Sequence, residues 1–334
     1  QDLLKSNYPQ EGAISQERQA CDRRAIPAAA RESNWLTGDG HAVRRIDWPG
    51  AATPRGSILF LPGRGDFYEK YLETLDHWHD LGWRVTASDW RGQAGSGRLG
   101  KDAVTGHVDD FATWIEDLGT LWKHWKAETP GPHVLAGHSM GGHLVLRALA
   151  EQQVDPDGLL LSAPMLGFTA SVLPDAVMHQ AAKLMTALGD PRRPAWKWSE
   201  KPGQPAADRI HLLTHDAERY NDEIFWRQAR PELVMGPGSW GWVERAYASM
   251  RLLAKPGLLE AIDTPVLILA TDNDQLVGFK AVQRAAARLR DCEFIHFGVE
   301  AHHEILREAD HVRDRALRAC DAFLNRIAGE RRGS

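Results

Sequence analysis

From His41 onward, short apolar runs rich in Val, Ile and Leu alternate with longer amphipathic stretches. The runs are Ala42–Trp48, Ser57–Leu61, Arg84–Asp89, His133–Ala136, Gly158–Ser162, Pro265–Ala270 and Glu293–Phe297. Near-continuous apolar runs are what a strand buried on both faces requires, as in a parallel sheet covered by helices. The stretches between them predict helices over Asp66–Leu81, Val108–Glu128, Met140–Gln152, Gly278–Leu289 and Glu304–Ile327. Gly82 stands where the first of these should stop. Strand and helix in alternation predict a doubly wound α/β sheet.

The alternation breaks between Gly167 and Thr264 and resumes at Pro265. The interrupted stretch holds Pro-rich and Trp-rich loops and several short helices, with no convincing strand. This divides the chain into a polar lead-in (1–34), a core (35–166 with 264–334) and a cap inserted over the sheet (167–263). Within the cap, Val172, Leu173, Val177, Leu184, Met185 and Leu188 recur at near-helical spacing. Such a face either packs on a small core of the cap or, with Trp196 and Trp198, lines an acyl tunnel or meets lipid.

Composition narrows the picture. With 334 residues, 43% of them hydrophobic, the chain has ample material for a core. The net charge of −5 gives no electrostatic reason to expect nucleic acid. No run of 18 apolar residues is present to span a membrane. Gln1–Gln19 lacks the basic-then-apolar pattern of a signal peptide. The three cysteines are scattered and read as reduced thiols, so cytoplasmic placement with loose peripheral membrane contact is the expectation. Oligomeric state is not legible.

The chemistry begins at His133–Ala136, which runs into Gly137-His138-Ser139-Met140-Gly141 and then into a helical pattern. A GxSxG string alone arises by chance in about one chain in ten of this length. Strand before and helix after give it meaning: a sharp turn exposes the serine hydroxyl, and the helix aims free N–H groups at the site. Ser139 is thus the candidate nucleophile.

A serine nucleophile needs a histidine to take its proton and a carboxylate to orient that histidine. Asp272 and Asp274 both follow the late run 265–270, and His302 and His303 both follow the run 293–297. The order Ser, Asp, His is satisfied by either member of each pair. An oxyanion hole is expected from the amide of Met140 and that of Arg64, in the glycine-bearing loop Pro62-Gly63-Arg64-Gly65 after the run 57–61. Gly63, His138, Trp196 and Trp198 are the expected substrate contacts. Arg64 and Lys70 place basic side chains near the expected mouth, where they suit a phosphate.

Several segments together resemble the lysophospholipase L2 and monoacylglycerol lipase branch of the α/β-hydrolases. They are Leu61–Tyr71, Asp89–Gln93, Gly137–Gly142, His303–Leu306 and, in the cap, Leu213–Tyr220 and Gly238–Trp242. The likeness runs over roughly residues 35–328. It implies a mostly parallel eight-stranded sheet flanked by helices, with a helical cap after the sixth strand. It also implies Asp274 and His303 as partners of Ser139, an acyl-enzyme mechanism without cofactor or metal, and a fatty-acyl ester such as a lysophospholipid or monoacylglycerol as substrate. Many relatives carry His-Gly where this chain has Pro62-Gly63.

The same triad would also serve a small-molecule carboxylesterase or a thioesterase, and a catalytically inactive binding protein is the non-enzyme alternative. Dehalogenases and epoxide hydrolases of this fold use an aspartate where Ser139 stands. His77-Trp78-His79-Asp80 puts two histidines on different sides of a helix, a poor arrangement for one metal ion.

Overall fold

The computed structural model describes residues 21–169, 173–197 and 209–330. Eight strands form one sheet: β1 (Arg31–Leu36), β2 (Ala42–Trp48), β3 (Ser57–Leu61), β4 (Arg84–Ser88), β5 (His133–His138), β6 (Gly158–Ser162), β7 (Val266–Thr271) and β8 (Cys292–Phe297). Their spatial order is β1-β2-β4-β3-β5-β6-β7-β8. The β1/β2 and β2/β4 pairs are antiparallel, and every other pair is parallel. The expected mostly parallel, eight-stranded sheet is what the chain forms.

Alternate residues of the central strands feed two different cores. Leu59, Leu61, Leu135, Leu159, Leu161 and Ile268 face one side. Ile58, Phe60, Val134, Leu160, Leu267 and Leu269 face the other. Both faces are apolar, so the period of two disappears from the sequence and leaves continuous runs. The first core is closed by α2 (Phe111–Glu128), α3 (Met140–Ala150) and α8 (Phe279–Ala286), the second by α1 (Leu72–Asp80) and α9 (Asp310–Glu330). Trp114, Leu118, Leu121 and Trp125 give α2 its buried stripe, and the Asp110 side chain caps it by accepting from the Ala112 amide. Helix α1 stops where Gly82 takes φ +90°, with its amide donating to the His79 carbonyl.

Two expectations need correction at their edges. Strand β1 begins at Arg31, inside the segment read as a lead-in; it is exposed almost throughout and is held by backbone pairing with β2. The helices expected from Asp66 and Glu304 begin later, as single 3₁₀ turns at Tyr68–Tyr71 and Ile305–Arg307 before α1 and α9.

Between β6 and β7 the described residues form α4 (Asp175–Ala187), α5 (Ile210–Leu213), α6 (Ala217–Ala229) and α7 (Trp240–Leu253). Helix α7 is part of the main core through Trp242, Ala246, Tyr247, Met250 and Leu253. Helix α4 sits on α7 through a polar tether: His179 is hydrogen-bonded to Glu244 at 2.8 Å and to Arg251 at 3.0 Å. The only buried residues of α4 are His179 and Ala182. Val177, Leu184 and the flanking Leu173 and Leu188 are exposed, so the reading of a private cap core for this face is overturned. Val172 and Trp198 lie outside the described residues. No helix among the described residues is long and apolar enough to cross a membrane.

Candidate active site

Strand β5 ends at His138, and Ser139 turns the chain into α3 with φ +52° and ψ −118°. A non-glycine residue rarely takes such a conformation, and holding it there costs about 1–3 kcal/mol. The neighbouring glycines make the turn sterically feasible. A Cβ on Gly137 would lie 2.7 Å from the Gly141 carbonyl carbon, and one on Gly141 would lie 2.3 Å from the Pro62 carbonyl oxygen. The Ser139 amide donates to the Ser162 carbonyl at 2.9 Å, and its own carbonyl accepts from the amides of His143 and Met165 at 3.0 Å each. The serine is thereby fixed at the carboxyl edge of the sheet, where open α/β sheets place their ligands.

Two loops from later strands converge on it. The Ser139 hydroxyl lies 2.9 Å from His303 Nε2. His303 Nδ1 lies 2.6 Å from Asp274 Oδ2. The other Asp274 oxygen accepts the amides of Leu276 and Val277, each at 2.8 Å, so the carboxylate cannot rotate away. Asp274 and His303 are both buried. Burial acts against charge on either group, but the contact between them outweighs it. The His303 pKa is raised, by the Asp274 charge and hydrogen bond and then by Glu304 and Asp66. The Asp274 carboxyl is lowered, by His303 and the two amides. The shifts of the two partners agree in sense. His138 packs against His303 at a tilt, with ring centroids 4.8 Å apart; burial, then the charge of His303, pushes its pKa down to about 4, so it is neutral near pH 7.

The alternatives at each loop go elsewhere. Asp272 pairs with His296 at 3.0 Å on the surface. His302 stacks on His215 at 3.9 Å between centroids, and its amide donates to Glu308. His77 and His79 also part company: His77 meets Asp321 at 3.0 Å, and His79 meets the Pro49 carbonyl at 3.3 Å. Among the described residues no group of His, Cys, Asp and Glu could hold a metal ion.

The loop after β3 lies against the elbow, with a Cβ built on Gly63 only 3.1 Å from Ser139 Cβ. Three residues pin this loop, none of them singled out from sequence for that role. The Trp90 indole donates to the Pro62 carbonyl at 2.8 Å. Gln93 accepts the Gly65 amide at 2.8 Å, and Asp66 accepts the Gly63 amide at 3.2 Å. Asp66 is itself held by the Tyr71 hydroxyl at 2.7 Å and by Lys70 at 2.5 Å. Burial opposes its charge, yet Lys70 wins and brings the Asp66 carboxyl down to about 2. Lys70 also meets Glu304 at 2.5 Å and Glu223 at 3.1 Å, so it is committed to this cluster. The Asp89–Gln93 segment was visible only as part of the resemblance; its contacts join residues 28 apart and have no local signature. The Arg64 amide donates to no described residue, and Met140 begins α3, where the first amides have no intrahelical acceptor.

Ser139 and His303 open on a cavity of about 730 Å³. Met165, Phe168, Met178, Trp240, Trp242 and Tyr247 supply an apolar wall. Asp66, Lys70, Arg209 and Glu304 supply a charged one. Gly63, Arg64, His138 and Trp196 all line it, as expected, and Trp198 lies outside the described residues.

Comparison with known proteins shows which family the chain resembles. The family model described as "Serine aminopeptidase, S33" matches residues 52–310. The chain is 31% identical over 281 residues to lysophospholipase L2 of Escherichia coli (strain K12), covering 80% of each chain. It is 24% identical over 266 residues to monoacylglycerol lipase of Mycolicibacterium smegmatis, covering 79% of this chain and 86% of the other. In fold it is similar to a soluble variant of monoglyceride lipase from Saccharomyces cerevisiae solved with a substrate analogue. That match has a TM-score of 0.72 and 19% identity over 91% of this chain and 96% of that one.

Proposed function

The chain belongs to the serine aminopeptidase S33 family of serine hydrolases, and from that premise we propose that it hydrolyses a fatty-acyl ester of glycerol, a lysophospholipid or a monoacylglycerol, through an acyl-enzyme on Ser139. The observation that carries this reading is the Asp274–His303–Ser139 hydrogen-bonded chain at the wall of a half-apolar cavity.

In the proposed reaction the Ser139 hydroxyl attacks the ester carbonyl as its proton passes to His303 Nε2. Asp274 fixes the imidazole with its proton on Nδ1 and stabilises the cation that forms. The amides of Arg64 and Met140 receive the oxyanion, which develops beside the positive end of α3. His303 then gives its proton to the leaving alcohol; water next attacks the acyl carbon as its proton passes to His303, and the acyl–Oγ bond breaks as His303 returns that proton to Ser139, releasing the fatty acid. Pro62 in place of a histidine removes one side chain from this loop; Trp90, Gln93 and Asp66 hold its shape instead.

Substrate class follows from the walls. The relatives named above are a lysophospholipase and a monoacylglycerol lipase, and an aromatic and methionine-lined wall suits an acyl chain better than a peptide. Residues 167–263 act in this reading as the cap over the acyl site. The exposed apolar face of α4, with Val177, Leu184 and Leu188, is the surface that meets the lipid from which substrate is drawn. The testing experiment is a hydrolysis panel in which acyl length varies from acetyl to palmitoyl independently of the alcohol. Preference for medium and long chains is expected, and a preference for acetate removes the lipid reading.

A further inference from the structure

Several buried or half-buried arginines of this protein meet carboxylates. Arg44 reaches Glu69 at 2.6 Å and Asp89 at 2.7 Å, and Arg219 reaches Glu73 and Asp310 at 2.8 Å each. Arg64 does not. Only burial and the charge of another cation, Arg209, act on its guanidinium, and together they bring its pKa down to about 9. It remains a cation near pH 7, poorly stabilised by its surroundings. Its Nη2 donates to the Gly236 carbonyl at 2.8 Å, while Nε is buried with no hydrogen-bond partner among the described residues. Two indoles flank it, Trp196 with its ring centroid 5.1 Å away and Trp242 at 5.0 Å. Cation–π contact offsets part of the cost of removing a guanidinium from water, but a largely desolvated cation with no counter-ion among the described residues is still unfavourable.

The other cations of the same cavity are committed. Lys70 is held by Asp66, Glu223 and Glu304, and Arg209 reaches Glu223 at 3.4 Å. The Arg64 guanidinium leaves the residue whose amide faces the proposed oxyanion, so it stands one arginine side chain away from the reacting carbonyl. In a 1-acyl lysophospholipid the phosphorus stands a similar number of bonds from the ester carbonyl. A monoacylglycerol has only a neutral hydroxyl there.

We propose that the Arg64 side chain, held between Trp196 and Trp242, is the receptor for the phosphodiester of the substrate, which makes a lysophospholipid the preferred ester. The proposal rests on the acyl-ester reading above. The carboxylate of the released fatty acid is a second oxyanion source, but it forms at Ser139, at the amide end of the residue and not at its guanidinium.

The test separates binding from turnover. In the full chain carrying Ser139→Ala, calorimetry measures Kd for an ether-linked lysophosphatidylcholine, the matching alkylglycerol and the matching fatty acid, all below their micelle concentrations. Arg64→Gln is expected to lower the preference for the phosphodiester over the alkylglycerol about tenfold or more, the size of a lost charge-assisted contact. Arg64→Lys is expected to recover most of it. An unchanged preference overturns the proposal. So does an equal loss on both ligands with a lower melting temperature, which makes Arg64 a cap anchor, or a loss confined to the fatty acid. If the unmutated protein hydrolyses no acyl ester, the parent reading fails, and the binding ratio still decides the role of Arg64.

Discussion

At the scale of the residue, the site turns on the environment of a few groups. His303 must be neutral to accept the serine proton, and its pKa is raised above the usual value of about 6.5. Activity should therefore rise with pH through a value above about 6.5, with the acid limb of kcat/KM reporting it. The stability contribution has the opposite sense: a raised pKa adds stability at acid pH that is lost as pH rises through the folded value. Replacing Asp274 with Asn removes the group that raises the pKa, so the limb should move to lower pH while kcat falls by roughly 10⁴. A limb that stays put in that variant would show that Asp274 does not act on His303. Gly141 supplies a test of the elbow itself. Alanine gains about 1 kcal/mol in a helix over glycine. Here its Cβ would lie 2.3 Å from a backbone carbonyl, and overpacking costs about 1–3 kcal/mol or more. Gly141→Ala should lose about 2 kcal/mol in denaturant unfolding and shift the Pro62–Gly65 loop; a gain in stability would contradict the packing account. Ser139, its turn and the two pairs of candidate partners were legible because a strand–turn–helix motif is local. The choice of Asp274 over Asp272 and of His303 over His302 came from family likeness alone, since both members of each pair share one loop.

At the scale of the element, periodicity says which residues share a face but not what that face meets. The spacing of Val177, Leu184 and Leu188 was visible in the sequence, yet α4 turns these residues outward because its attachment to α7 is the polar His179–Glu244 contact. Strand β1 left no apolar signature because its burial is slight; backbone pairing with β2 holds it, and pairing is invisible to a hydropathy reading. The outward face of α4 has its own test. The double variant Val177→Asp, Leu184→Asp should reduce cosedimentation with phospholipid vesicles severalfold and slow hydrolysis of vesicle-borne substrate. Turnover of a water-soluble short-chain ester should be retained. Undiminished vesicle binding would mean that α4 is not the contacting surface.

At the scale of the whole molecule, one sheet with two apolar faces carries three separated loops to a common edge, and the residues 139, 274 and 303 meet there. The core architecture was legible because buried parallel strands read as uninterrupted apolar runs. The oxyanion loop was legible in position but not in support, because Trp90, Gln93 and Asp66 reach it through long-range contacts or a turn whose geometry no pattern encodes. The central claim is that this convergence makes Ser139 a nucleophile. Treating the full chain with a fluorophosphonate and locating the adduct by peptide mass spectrometry tests it most directly. One adduct on Ser139 is expected, with labelling and ester hydrolysis both abolished in Ser139→Ala; an unlabelled Ser139, or an alanine variant that still turns over ester at the original rate, would contradict it.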